Sequence, residues 1–227
     1  MGAAGLESGD PQRIGGYWLA GRLGSGGQGV VYEAYDDDGR RVAVKVLHGM
    51  ADRVDKEVAA ARRVASFCTA RILEADLAAE RPYIVSEYVE GPSLRRAVRQ
   101  AGPLEGDTLH RLATAVATAL TAVHTAGVVH RDLKPDNVLL GPDGPRVIDF
   151  GIARTEEMSL TSTGSLMGTP TYMAPEVLRG ERAGQAADVF AWGAVVLFAA
   201  TGRDPFHADN VAAVMHRVLS ADPDLSC

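Results

Sequence analysis

The apolar pattern of this chain changes character at Gly91-Pro92, from mainly strand-like to mainly helical, and that change narrows the folds open to it. Ahead of it, residues 17–47 alternate in the manner of strands and carry turn signals. Tyr17-Trp18-Leu19 is followed by a glycine cluster, then Val30-Val31-Tyr32-Glu33-Ala34, Asp36-Asp37-Asp38-Gly39, and Val42-Ala43-Val44-Lys45-Val46. The pattern predicts three antiparallel strands joined by hairpins. An Ala- and Arg-rich stretch at 52–66 has helical spacing, and strands follow near 71–77 and 82–86. Beyond Gly91-Pro92, helices are predicted over 93–100 and 107–126. The second carries Leu109, Leu112, Val116, Leu120 and Val123 on one stripe. Short strand-like pieces at 138–140 and 146–148 bracket Pro142-Asp143-Gly144. A Ser/Thr/Gly-rich loop spans about 154–170, and helices resume near 175, with one at about 210–220. A β-rich front and an α-rich back imply an α+β fold of two lobes, 14–87 and 88–227, meeting near residues 87–91. Residues 1–13 are Gly, Ala and polar, and are expected to form a flexible tail.

Composition excludes several function classes. The 227 residues carry a net charge of -6, which argues against a nucleic-acid binder with its basic stripe. Two cysteines, Cys68 and Cys227, are too few for a disulfide framework and point to a reducing, cytoplasmic setting. The six histidines show no metal-ligand spacing; His124 and His130 are too far apart to share a helix face. No apolar run reaches the roughly eighteen residues of a membrane span, and 189–200 is expected to be a buried helix. Leu6 stands where a myristoylation signal would need Ser or Thr. Of 23 basic residues only Lys45, Lys56 and Lys134 are lysines, so each invites a reason for a compact ammonium.

Leu23-Gly24-Ser25-Gly26-Gly27-Gln28-Gly29-Val30-Val31 forms a G-x-G-x-x-G-x-V pattern. Glycines let a backbone approach polyphosphate closely and offer its N–H groups. By itself the pattern also fits plain turns. A dinucleotide fold would need a helix straight afterwards, whereas residues 30–34 are strand-like, which favours a hairpin lid over a nucleotide. Lys45 follows on the third strand, with Glu57 on the next helix. Then come His130-Arg131-Asp132-Leu133-Lys134-Pro135-Asp136-Asn137, Asp149-Phe150-Gly151, and Gly168-Thr169-Pro170-Thr171-Tyr172-Met173-Ala174-Pro175-Glu176.

On these ordered motifs the chain resembles the eukaryotic-type protein kinases, especially their bacterial Ser/Thr members, over residues 14–225. The resemblance implies the two-lobed kinase fold, with a small antiparallel-sheet lobe bearing one long helix and a larger helical lobe. It implies transfer of the ATP γ-phosphate to Ser/Thr hydroxyls, with ATP and Mg²⁺ (or Mn²⁺) as cofactors. Asp132 would accept or orient the substrate proton, and Asn137 and Asp149 would hold the metal. Lys45, paired with Glu57, would fix the α- and β-phosphates. The glycine loop would cover the nucleotide, and Val31, Ala43 and Leu139 would sandwich adenine. The Glu87 carbonyl and the Val89 N–H would bond its edge, with Ser86 as the gatekeeper behind it. Lys134 and Thr169 match Ser/Thr rather than Tyr kinases, and Lys134 would neutralise charge developing in transfer. Asp188 would brace the catalytic loop, and Glu176 would close the peptide platform. Thr161 and Thr163 match activation-loop autophosphorylation positions, with Arg131 and Arg154 to receive the phosphate.

Two departures shape further expectations. Only eleven residues separate Lys45 from Glu57, which requires a tight connection. The family's last helices, and the arginine that pairs with Glu176, are missing from the sequence. The helix bearing Val189, Phe190, Trp192, Val195, Val196, Leu197 and Phe198 is therefore expected to leave four or five large side chains uncovered, with self-association as the consequence. A rival reading is a catalytically impaired nucleotide-binding or scaffolding module, and a third is a small-molecule kinase. Expected partners are protein substrates and other copies of the chain, with no nucleic acid and no membrane span.

Overall fold

The computed structural model describes residues 4–27, 29–48, 54–64, 68–149 and 170–225, the side chains of residues 54–57 excepted. The first lobe is built on six antiparallel strands: β1 (Arg13–Ile14), β2 (Tyr17–Gly26), β3 (Gly29–Tyr35), β4 (Arg41–Leu47), β5 (Ile72–Asp76) and β6 (Tyr83–Glu87). Their spatial order is β1-β2-β3-β4-β6-β5. Helix α1 (Val54–Ala61) joins β4 to β5. Alternation sorts the side chains between the two faces. Tyr32, Ala34, Val42, Val44, Tyr83 and Val85 bury together with Ile14 and Leu19 on one face. The register opposes Val31 to Lys45 and Ala43 to Ser86. Directly opposed residues point the same way, so these four share the other face. Ile84, opposite Lys45, packs into the same core as Leu94, Val138 and Val147, so this second face turns toward the second lobe.

Glycine is needed at two close approaches. Gly29 has φ +151°, and a Cβ there would overlap the Val46 carbonyl oxygen. Gly91, between the lobes, has φ +119°, and a Cβ would strike the carbonyl oxygen of Leu140. A side chain at either position would push the hairpin off β4 or the connection off the second lobe.

The second lobe contains α2 (Leu94–Ala101), α3 (Gly106–Thr125), β7 (Val138–Gly141), β8 (Gly144–Val147), α4 (Pro175–Leu178), α5 (Gln185–Thr201) and α6 (Val211–Ser220). Ser93 caps α2 by accepting the Arg96 N–H. The stripe on α3 buries Leu112, Val116, Leu120 and Val123 against Ala194, Val195 and Phe198 of α5.

Three expectations are corrected. The tail ahead of residue 14 is docked: Ala4 exchanges two backbone hydrogen bonds with Arg22, at 2.9 and 2.8 Å. Polar composition suggested a loose segment, but Asp10 finds partners on the sheet in Arg22 and the buried Tyr32. The helix expected over 52–66 is shorter, because after Ala61 the Arg63 and Val64 N–H groups bond three residues back and tighten the last turn. The α5 helix is covered: among its seven large side chains named above, only Val189 is exposed. Phe190 stacks on Phe206 at 5.9 Å, in a cluster with Val214 and Val218 of α6. The Trp192 indole N–H donates to the Ala113 carbonyl at 3.0 Å. Residues 202–220 thus fold back over the helix.

Candidate active site

Asp132 lies in the extended segment between α3 and the 3₁₀ turn Pro135–Asn137. Lys134 Nζ stands 2.8 Å from Asp132 Oδ2. The Asn137 amide NH₂ donates to the Asp132 carbonyl at 2.8 Å and to Oδ2 at 3.3 Å. Proline at the first position of the turn fixes φ, and the turn brings Asn137 back over Asp132. Asp149 Oδ1 accepts from Lys45 Nζ at 3.1 Å. The Ile148 N–H donates to the Asn137 carbonyl at 2.9 Å, so the segment carrying Asn137 is tied to the one carrying Asp149 by a backbone bond next to Asp149.

The frame behind this loop rests on a buried carboxylate. Asp188, only 1% exposed at the start of α5, accepts the His130 N–H at 2.7 Å and the Arg131 N–H at 2.8 Å. It also accepts from His124 Nε2 at 2.7 Å. Arg131 has φ +62°, a left-handed conformation costing about 1–3 kcal/mol in a non-glycine residue. Its N–H bond to Asp188 holds it there.

His130 is fully buried. Its Nε2 is 3.2 Å from the Ile148 carbonyl, and its Nδ1 accepts the Asp132 N–H at 3.3 Å. Both contacts are met by one neutral tautomer, protonated at Nε2. Burial pushes its pKa below the ordinary histidine value, against the pull of Asp188, Asp132 and Asp149. Folding therefore binds fewer protons here than the unfolded chain does, so stability is present above the unfolded pKa of about 6.5 and is lost as pH falls below it. The urea midpoint is expected to drop between about pH 7 and pH 5.5, and His130→Gln is expected to flatten that slope. An unchanged slope in the variant would assign the effect to other groups.

The other residues singled out in the sequence are distributed as follows. Leu23, Gly24, Ser25 and Gly26 end β2, Gly27 turns, and Gly29, Val30 and Val31 open β3. Glu87 ends β6; its carboxylate meets Arg71 at 3.3 Å and Arg146 at 3.5 Å. Val89 is in the connection between the lobes, and Leu139 on β7 bridges to Ser93. Glu176 lies in the first turn of α4. Gln28, Arg154, Thr161, Thr163, Thr169 and the Glu57 side chain lie outside the described residues. Sequence reading gave His124 and His130 no role: it dismissed both as metal ligands and quoted His130 only as the start of its motif. Their positions flanking the loop that Asp188 braces were the available signal.

Among the described residues no three His, Cys, Asp or Glu side chains group closely enough to hold a metal ion. Asn137 and Asp149 offer oxygen donors alone, a set suited to a hard divalent cation that takes its other oxygens from phosphates and water. No helix among the described residues is long and apolar enough to cross a membrane.

Residues 17–223 match the family model described as the protein kinase domain. The chain is 47% identical to the probable serine/threonine-protein kinase PkwA of Thermomonospora curvata, over 97% of this chain and 31% of that protein. It is 45% identical to the serine/threonine-protein kinase AfsK of Streptomyces coelicolor, over 97% of this chain and 29% of that one. The chain thus spans about a third of the length of these relatives. The crystal structure of Rad53 1-466 in complex with AMP-PNP superposes with a TM-score of 0.75 at 25% identity, covering 90% of this chain and 53% of that one.

Proposed function

The chain belongs to the protein kinase family, and from that premise we propose that it transfers the γ-phosphate of ATP to serine and threonine hydroxyls of proteins. The observation that carries the reading is the Asp132 carboxylate, held by Lys134 at 2.8 Å and Asn137 at 3.3 Å beside the Lys45–Asp149 pair. Asp132 takes the proton of the attacking hydroxyl, and Lys134 balances negative charge that builds during transfer. Lys45 binds the α- and β-phosphates from the sheet face it shares with Val31 and Ala43, and those two side chains flank adenine. Asn137 and Asp149 hold Mg²⁺, with Mn²⁺ as its substitute; when bound, it neutralises phosphate charge. Autophosphorylation at Thr161 or Thr163 belongs to the same reading. Labelled ATP, Mg²⁺ and a protein acceptor should yield phosphoserine and phosphothreonine. Hydrolysis of ATP without protein label, or label on tyrosine alone, would overturn it.

Ser86 adds a specificity test. It is half-buried, lies opposite Ala43, and is small enough to leave room behind adenine. ATP-competitive compounds with bulky aromatic extensions are expected to inhibit the parent, and Ser86→Met to weaken them about 10- to 200-fold. Equal inhibition of both forms would place Ser86 away from the pocket.

A further inference from the structure

We propose that residues 4–14 form a strap that positions the glycine hairpin for nucleotide, with Asp10 as its positioning residue. The proposal rests on reading that hairpin as the nucleotide lid. The whole of the strap precedes the stretch matched to the kinase domain, which begins at residue 17. It nevertheless runs along the sheet. Ala4 pairs with Arg22, the Leu19 N–H donates to the Gln12 carbonyl at 2.9 Å, and β1 pairs with Tyr17 and Trp18. Ile14 buries in the core of that sheet face.

Asp10 is the knot of the strap. Its side chain is 4% exposed and accepts four donors. Arg22 gives Nε at 2.8 Å and Nη2 at 2.6 Å, the Tyr32 hydroxyl gives 2.7 Å, and the Glu7 N–H gives 2.8 Å. Glu7 takes the remaining guanidinium nitrogen, Nη1, at 2.6 Å. Arg22 and Tyr32 are opposed across β2 and β3, beside the irregularity between Arg22 and Gly24. One carboxylate therefore grips both strands of the hairpin at its root, immediately before residues 24–29. Bidentate Arg–carboxylate pairs fix orientation as well as distance. The Arg22 guanidinium, with help from the Tyr32 hydroxyl, holds the Asp10 carboxyl well below the usual carboxylate range. A root held this firmly preorganises the tip, so less ordering remains to be done when nucleotide binds.

Asp10→Asn keeps the shape but turns an NH₂ toward the guanidinium. In this variant KM for ATP and Kd for a non-hydrolysable ATP analogue are expected to rise about three- to tenfold, with kcat and KM for the protein acceptor within about twofold. Amide hydrogen exchange without nucleotide should speed up in residues 22–32 while α3 keeps its protection. Unchanged affinity and exchange would overturn the proposal, as would equal loss of protection in α3. Should Asp10→Asn fail to fold, Tyr32→Phe removes one hydrogen bond and leaves the ring packed. It is expected to shift affinity and local exchange in the same direction, and unchanged exchange in residues 22–32 would overturn the strap. The parent separates the two readings: if it binds the analogue but transfers no phosphate, the kinase reading fails while the binding and exchange tests of the strap still stand.

Discussion

Asp132→Asn is expected to slow phosphoryl transfer by about 10²- to 10⁴-fold, the usual contribution of a positioned general base, while nucleotide affinity stays within about threefold. The asymmetry follows from the contacts. Asp132 is gripped by Lys134 and by Asn137, whereas the lysine of the sheet meets Asp149. An amide at position 132 still accepts from Asn137 but cannot take a proton from a hydroxyl. Asp149→Asn should instead weaken Mg²⁺-dependent nucleotide binding and transfer together, because it removes the charge from the pair proposed to hold the metal. Isothermal titration with a non-hydrolysable ATP analogue, alongside initial rates on a protein acceptor, separates the two variants. More than a few per cent of parental activity in Asp132→Asn would remove its role as base.

Asp188→Asn is expected to damage both stability and activity, for a different reason. Its two oxygens accept from the His130 and Arg131 N–H groups and from His124, at 2.7–2.8 Å in a site almost closed to water. An amide has one acceptor oxygen, and its NH₂ must face a donor. Breaking such a buried constellation costs about 3–5 kcal/mol. For a domain of this size that is a fall in Tm on the order of 10 °C. Arg131 would lose the bond holding its left-handed backbone, and Asp132 follows it directly, so transfer should fall as well. Differential scanning calorimetry distinguishes this variant from Asp132→Asn, whose Tm should stay close to that of the parent. An Asp188→Asn protein melting with the parent would show that the loop is held by other contacts.

Much of the fold was legible because its causes are local. Alternation marked β2, β3, β4 and β6, and the Leu112–Val116–Leu120–Val123 stripe marked α3, since each depends only on spacing along the chain. Asp132, Asn137, Asp149 and Lys45 could be singled out together because each stands in a short ordered motif, and the fold brings Asn137 to Asp132 and Lys45 to Asp149. What escaped depended on partners distant in sequence. His130 and Asp188 meet across 58 positions, and no local pattern says that a histidine two residues before Asp132 will be buried between two backbone groups.

The sequence by itself determined the order of strands and helices, the change from strand-rich to helix-rich character at Gly91, and the residue types available at the site. Tertiary structure alone decided which faces met. The register of β3, β4 and β6 turned Val31, Ala43, Lys45 and Ser86 together toward the second lobe. Residues 202–220 covered α5, whose apolar surround looked unfinished in one dimension. Asp10, read in sequence as part of a loose polar tail, became buried because Arg22 and Tyr32 stand opposite one another on the sheet. A buried charge is tolerable only where donors converge on it, and convergence is a property of the folded chain.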